Sequence, residues 1–318
     1  MKYTKRISGY LLTVLIIGVS FFTVSRTQDI IDWWRIRDYK PTLEIETLAQ
    51  QARFNDLGKK LFYVHDPKLM DKTAFVSSCD LGEETIVLGC YISHAGIFVY
   101  NVEDDRLQGI EEVTAAHEML HAAYDRLSQK EIDNLSVLLN AAYAELEDER
   151  IRANVASYER RDPSIVLNEL HSILGTEVRD LPKDLEEYYK KYFSDRLAVV
   201  SLAERYAEEF ASREKQIEDF DIQLGDLNGE ISRLQATLAE QAQQLDRDRK
   251  SITSLQEDAA LYNNAVSVYN RAVRTYNGDI EQLKTLINTY NDLVSKRNEI
   301  AIEERELVDA IDTRQSEL

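Results

Sequence analysis

Residues 114–124 read Thr-Ala-Ala-His-Glu-Met-Leu-His-Ala-Ala-Tyr, and Glu118 is the only charged side chain between Thr114 and Tyr124. Such a run predicts a buried helix. On a helix, His117 and His121 stand at i and i+4 and share one face, so both imidazoles can meet a single ion. Glu118 sits one step round. One carboxylate and two imidazoles are costly to desolvate in a small apolar helix without a partner. A metal ion is the partner that fits this pattern.

The stretch His117-Glu118-Met119-Leu120-His121 resembles the H-E-x-x-H signature of zinc metallopeptidases. A catalytic zinc takes three protein ligands and keeps one position open. The metzincin continuation is absent, because Tyr124 and Leu127 stand where a Gly and a third His would follow. Further on, Asn168-Glu169-Leu170-His171-Ser172 runs through Ile173-Leu174 into Gly175-Thr176. This resembles the second motif of the thermolysin-like gluzincins. The resemblance implies Glu169 as the third ligand, with His171 and Glu177 as the other candidates. Ile173 stands where the family has an Asp after the Ser, so the group that orients a zinc-bound His is expected from Glu177 or Asp180.

The same resemblance implies a zinc ion, a peptide substrate, and Glu118 as general base toward a zinc-activated water. Tyr124, Tyr158 and His171 are candidate donors to the oxyanion. A second reading is a cell-envelope adaptor or scaffold whose zincin-like domain is inactive or only binds metal. Hydrolysis of a non-peptide bond is a third.

The N-terminus carries Lys2, Lys5 and Arg6, and residues 7–25 are free of charge. That length matches a bilayer-spanning helix at ~1.5 Å per residue. Trp33 and Trp34 follow as interfacial aromatics. The expectation is a cytoplasmic N-terminus over 1–6, an uncleaved transmembrane anchor over 7–25, and a stem over 26–42. This predicts a single-pass protein of the cell membrane, with its catalytic domain outside the cytoplasm. The two cysteines, Cys79 and Cys90, fall in stretches rich in β-formers, Thr73 to Cys79 and Thr85 to Tyr91, separated by Asp80–Glu84. Facing strands would bring them within disulfide range. A net charge of −19 argues against a nucleic-acid partner.

A zincin-like domain is expected over 43–197, with a helix near Leu43–Leu57 and a small antiparallel-edged sheet ahead of the active-site helix. Ile97–Tyr100 is the strand expected at that edge. The predicted class is α+β. From 198 to 318 the chain reads as coiled coil. Ile217, Leu224, Ile231, Leu238, Leu245 and Ile252 begin a heptad position that continues through Val308 without a stutter. One long self-associating helix and an antiparallel hairpin turning within 248–264 both fit, and a protein partner for the coil stays open with them. The arms differ, Leu-rich before the turn and rich in Tyr and β-branched residues after it. That difference favours the hairpin.

Overall fold

A computed structural model describes residues 27–79 and 86–314. The chain divides into two compact units. One comprises residues up to Ala207 together with Ala310 onward, and the other runs from Glu208 to Asp309.

The first unit is built on helices. In chain order these are α1 (Thr27–Ile36), α2 (Leu43–Gln51), α3 (Asp56–Val64), α4 (Lys72–Ser78), α5 (Ile110–Tyr124), α6 (Gln129–Ala144), α7 (Glu149–Arg161), α8 (Val166–Glu177) and α9 (Lys183–Tyr189). Strands β1 (Lys68–Met70), β2 (Gly89–Ile92) and β3 (Gly96–Tyr100) form one sheet in the order β1-β3-β2. β1 runs parallel to β3, with Lys68 opposite Phe98. β2 runs antiparallel to it, with Cys90 opposite Phe98.

Three sequence expectations are corrected here. The class is predominantly helical rather than α+β, since the sheet has only three short strands. β3 is the central strand, so Ile97–Tyr100 is not an edge; its residues 97–99 are buried because neighbours cover them on both sides. β1 and β2 are the two outer strands. The run 7–25 lies outside the described residues, and among those described no helix is long and apolar enough to cross a membrane. The described residues therefore give no support to the transmembrane helix or to the single-pass placement built on it.

Local chemistry explains where the elements begin. The expected helix over Leu43–Leu57 is broken in two. Arg53 adopts a left-handed φ of 55°, and the Asn55 side chain then caps α3 by accepting from the N–H groups of Leu57 and Gly58, each at 3.0 Å. The stretch Thr73–Cys79 is helix rather than strand. Asp71 caps it through the Ala74 N–H at 2.9 Å, and Phe75 is buried beneath it. Cys79 and Cys90 are disulfide-bonded with Cα atoms 6.1 Å apart. The bond joins the end of α4 to β2 rather than two facing strands.

The core of this unit gathers around α5 and α8. Leu120, Met119, Ile173 and Leu174 are fully or almost fully buried between them. Arg196, 4 % exposed, ties down the C-terminal end of α8. Its guanidinium donates to the carbonyls of Leu174, Val178 and Arg179 and pairs with Glu186 at 2.6 Å. This satisfies carbonyls that a helix end leaves open.

α10 (Arg196–Thr253) starts in the first unit and runs into the second, where α11 (Ala259–Ile311) returns beside it. Three contacts fix the antiparallel register: Gln241 with Asp279 at 2.7 Å, Asp221 with Arg297 at 2.9 Å, and Arg213 with Glu303 at 3.4 Å. Residues 254–258 form the turn, and the Asp258 carboxylate restarts the helix by accepting from Ala260 and Leu261 N–H. Beyond α11 the chain rejoins the first unit. The Thr313 hydroxyl is fully buried there. It donates to the Val87 carbonyl at 2.7 Å and accepts from the Val87 N–H at 3.2 Å.

Candidate metal centre

His117 and His121 project from one face of α5 with ring centroids 4.7 Å apart. Glu169, on the first turn of α8, faces them across the helix pair. Its Oε2 lies 3.6 Å from His117 Nε2 and 3.8 Å from His121 Nε2. The three can hold a metal ion, with one ligand atom from each and all within 4.8 Å of one another. Ligands at ~2.0–2.1 Å in a tetrahedral site stand ~3.3 Å apart, so small shifts would close this set on zinc. Two imidazoles and a carboxylate are also the donor types zinc takes. Of the three third-ligand candidates, only Glu169 converges. His171 is fully buried and turned away, its Nε2 hydrogen-bonded to the Tyr188 hydroxyl at 3.1 Å. Glu177 is engaged by Arg150 at 2.9 Å.

Two glycines allow these elements to approach. A Cβ at Gly175 would stand 2.5 Å from Leu120 Cδ1, so a side chain there would push α8 away from α5. A Cβ at Gly89 would stand 2.5 Å from Thr114 Cγ2 and 2.7 Å from Glu118 Oε1. Bare backbone at β2 is thus what lets the outer strand lie against the helix bearing Glu118.

The imidazole orientation comes from residues whose roles the sequence did not disclose. His121 Nδ1–H donates to Asn168 Oδ1 at 2.9 Å, and Ser172 Oγ lies 3.3 Å from the same nitrogen. Nε2 is thereby left with its lone pair toward Glu169. Asn168 and Ser172 therefore serve where Glu177 or Asp180 was expected. Both stand in the Asn-Glu-x-x-Ser stretch, and the signal was their phase: residues 168 and 172 are one turn apart on the face that also carries Glu169.

The electrostatics separate the two carboxyls. Burial pushes Glu118 up to about 7. Glu169 acts in the same direction, while His121 and the Tyr91 N–H pull it back. Burial would also raise Glu169, but the hydrogen bond from His117 and the charges of His121, His117 and Arg161 hold it below the usual range. One carboxyl is thus kept ionised among the imidazoles, and the other is poised near neutrality. Tyr158 on α7 faces both; burial first, then the Glu169 charge, push its phenol pKa upward.

Comparison of the chain with family models, curated protein sequences and solved structures gives no match.

Proposed function

We propose that the first unit is a zinc-dependent peptide hydrolase. The observation that carries this reading is the placement of Glu118. It is 6 % exposed, it sits on the turn between the two imidazoles, and its pKa is raised to about 7. A site that only binds metal has no use for a second, buried carboxyl beside the triad.

Zinc, when held by His117, His121 and Glu169, supplies a Lewis acid and brings the pKa of a coordinated water to about 7. The chain's own residues supply the rest. Glu118 accepts a proton from the attacking water and returns it to the leaving amine. The Tyr91 N–H hydrogen-bonds the Glu118 carboxylate and fixes its direction. Tyr158, within electrostatic reach of Glu169 and Glu118, keeps its proton and is the donor assigned here to a developing oxyanion. His171 is removed from that role by its bond to Tyr188, and Tyr124 packs against the His171 ring at 5.5 Å. The outer strand β2, lying against α5, offers main-chain groups to an extended peptide.

The adaptor reading draws on one observation, that residues 208–309 form a compact unit of their own. Zinc content and hydrolysis of a peptide library, measured for wild type and Glu118→Gln, separate the two. The peptidase reading expects about one zinc per chain in both proteins, as a single three-ligand site would give. It also expects a rate loss in the variant on the order of 10²–10⁴. Full zinc with no cleavage by wild type would favour the adaptor. Glu169→Ala should lose zinc and His171→Ala should not.

A further inference from the structure

A cavity of about 480 Å³ opens between the end of α1, the end of α3 and the β2–β3 turn, and none of the triad lines it. Trp34, Tyr39 and Tyr63 give it aromatic walls, with the Tyr39 and Tyr63 rings 5.7 Å apart. Its volume suits one large side chain with a short length of backbone.

The charges around it are unevenly satisfied. Asp38 is held by Arg37 at 2.6 Å, and Asp66 by Lys68 at 3.4 Å. Arg35, also in the lining, makes no ion pair among the described residues. Beside it, His65 is 4 % exposed and accepts at Nε2 from Arg126, 3.2 Å away. A guanidinium can only donate, so the proton of His65 is on Nδ1, and that N–H has no partner. Buried orphan donors are rare in folded proteins. The lining therefore combines aromatic faces with a guanidinium that has no ion pair among the described residues and an imidazole N–H without a partner among them.

We propose that this cavity binds an aromatic or apolar residue that carries a carboxylate, either at the end of a peptide chain or on an adjacent acidic side chain. Arg35 takes the carboxylate in a two-pronged hydrogen bond, and Trp34, Tyr39 and Tyr63 enclose the apolar part. The position relates the cavity to the metal centre. Tyr91, whose N–H reaches Glu118, is three residues from His94 in the cavity lining. The chain turns at residues 93–95, so these three residues bridge at most about 10 Å. A peptide lying along β2 with a residue in this cavity would present a bond two to four residues away to Glu118. This placement rests on the peptidase reading, whereas binding in the cavity does not.

Trp33 and Trp34 are the only tryptophans, so Trp33→Phe leaves Trp34 as the sole indole reporter. The full chain carrying Trp33→Phe and Glu118→Gln, which cannot turn over, is titrated with three probes while Trp34 emission is followed. The probes are N-acetyl-phenylalanine, its amide, and N-acetyl-glutamyl-phenylalanine amide. At least one carboxylate probe should bind about tenfold or more tightly than the plain amide, the ratio expected of one charge-assisted hydrogen bond. Preference for the first probe assigns the chain end, and preference for the third assigns the acidic side chain. Arg35→Gln should erase the preference and Arg35→Lys should retain part of it, with the thermal midpoint unchanged because Arg35 is exposed. Equal binding of all three probes, no saturable response, or a preference that survives Arg35→Gln would overturn the proposal. A wild-type protein that binds these probes but cleaves no peptide would instead count against the peptidase reading and leave the cavity's role standing.

Discussion

The two units bury their apolar residues in different ways. In the first, α5 and α8 are enclosed, and Leu120, Leu139, Leu174 and Tyr189 have no exposed surface. In the second, the seam between α10 and α11 is narrow. Leu307 is fully buried near the end of α11, but elsewhere Ile231 and Leu238 reach only 9 % and 7 % exposure, and Ile222, Leu261 and Val268 are about half exposed or more. A seam of this kind is sustained by many small, repeated contacts along its length. An enclosed core concentrates its stability in a few side chains, and here those same side chains set the distance between the two helices that carry His117, His121 and Glu169.

The sharpest way to break this contrast is to remove a core side chain. Leu120→Ala deletes a fully buried group between α5 and α8, and should cost about 2–5 kcal/mol. Calorimetry should show the transition of the first unit lowered and that of the hairpin unchanged. One shared shift would mean that the units unfold together. Asn168→Ala leaves the triad intact but removes the acceptor of His121 Nδ1–H. Zinc affinity, read by competition with a chelator, should fall roughly 10–100-fold, the range found for partners that orient a metal-bound imidazole. Unchanged affinity would assign the orientation to Ser172.

The pH dependence should also fall on the first unit. Burial, followed by the Arg126 and Arg35 charges, depresses His65 to about 4 from an ordinary value of 6.5. The unfolded chain therefore binds this proton more readily. The contribution of His65 to stability is full above pH 6.5 and is lost as the pH falls toward 4. Thermal midpoints between pH 7 and pH 4 should decline less steeply in His65→Gln than in wild type, and parallel curves would contradict the assignment. The smallest effect belongs to the hairpin. Arg297→Ala breaks the Asp221 pair on an exposed face and should leave the hairpin transition almost unshifted, because solvent screens such a pair.

How far the sequence could be read follows the same division. The heptad is a local repeat, and its apolar positions could be traced from Ile217 to Val308 without knowing what packs where. The α5 helix was legible for a similar reason, since two histidines four apart on an uncharged run share a face in any helix. Glu169 could be named only through its motif, because no local pattern tells which distant helix will face α5. The sheet was read poorly. Lys72–Ser78 contains Thr and Val and resembles a strand, yet the Asp71 cap and the burial of Phe75 make it helix. A short apolar run takes its form from what covers it, and that is a tertiary fact. The same holds for β3, whose central place depends on β1 arriving in parallel from a distant segment. Asn168 and Ser172 were visible as letters of a motif. Their hydrogen bonds to His121 become apparent only once α8 is laid against α5.

The return of the chain from α11 to Val87 has a topological result. The turn at 254–258 is the one point where the two long helices are joined covalently, and each arm is also secured elsewhere. α10 is rooted through Arg196, and the stretch after α11 is held by the Thr313 hydroxyl in a buried bond pair. A single cut in that turn would leave two polypeptides still held together, by the seam and by Thr313. Expressed separately, the segments before and after the turn are the natural halves of a split protein, whose reunion would restore the buried bonds at Val87, three residues short of the disulfide at Cys90.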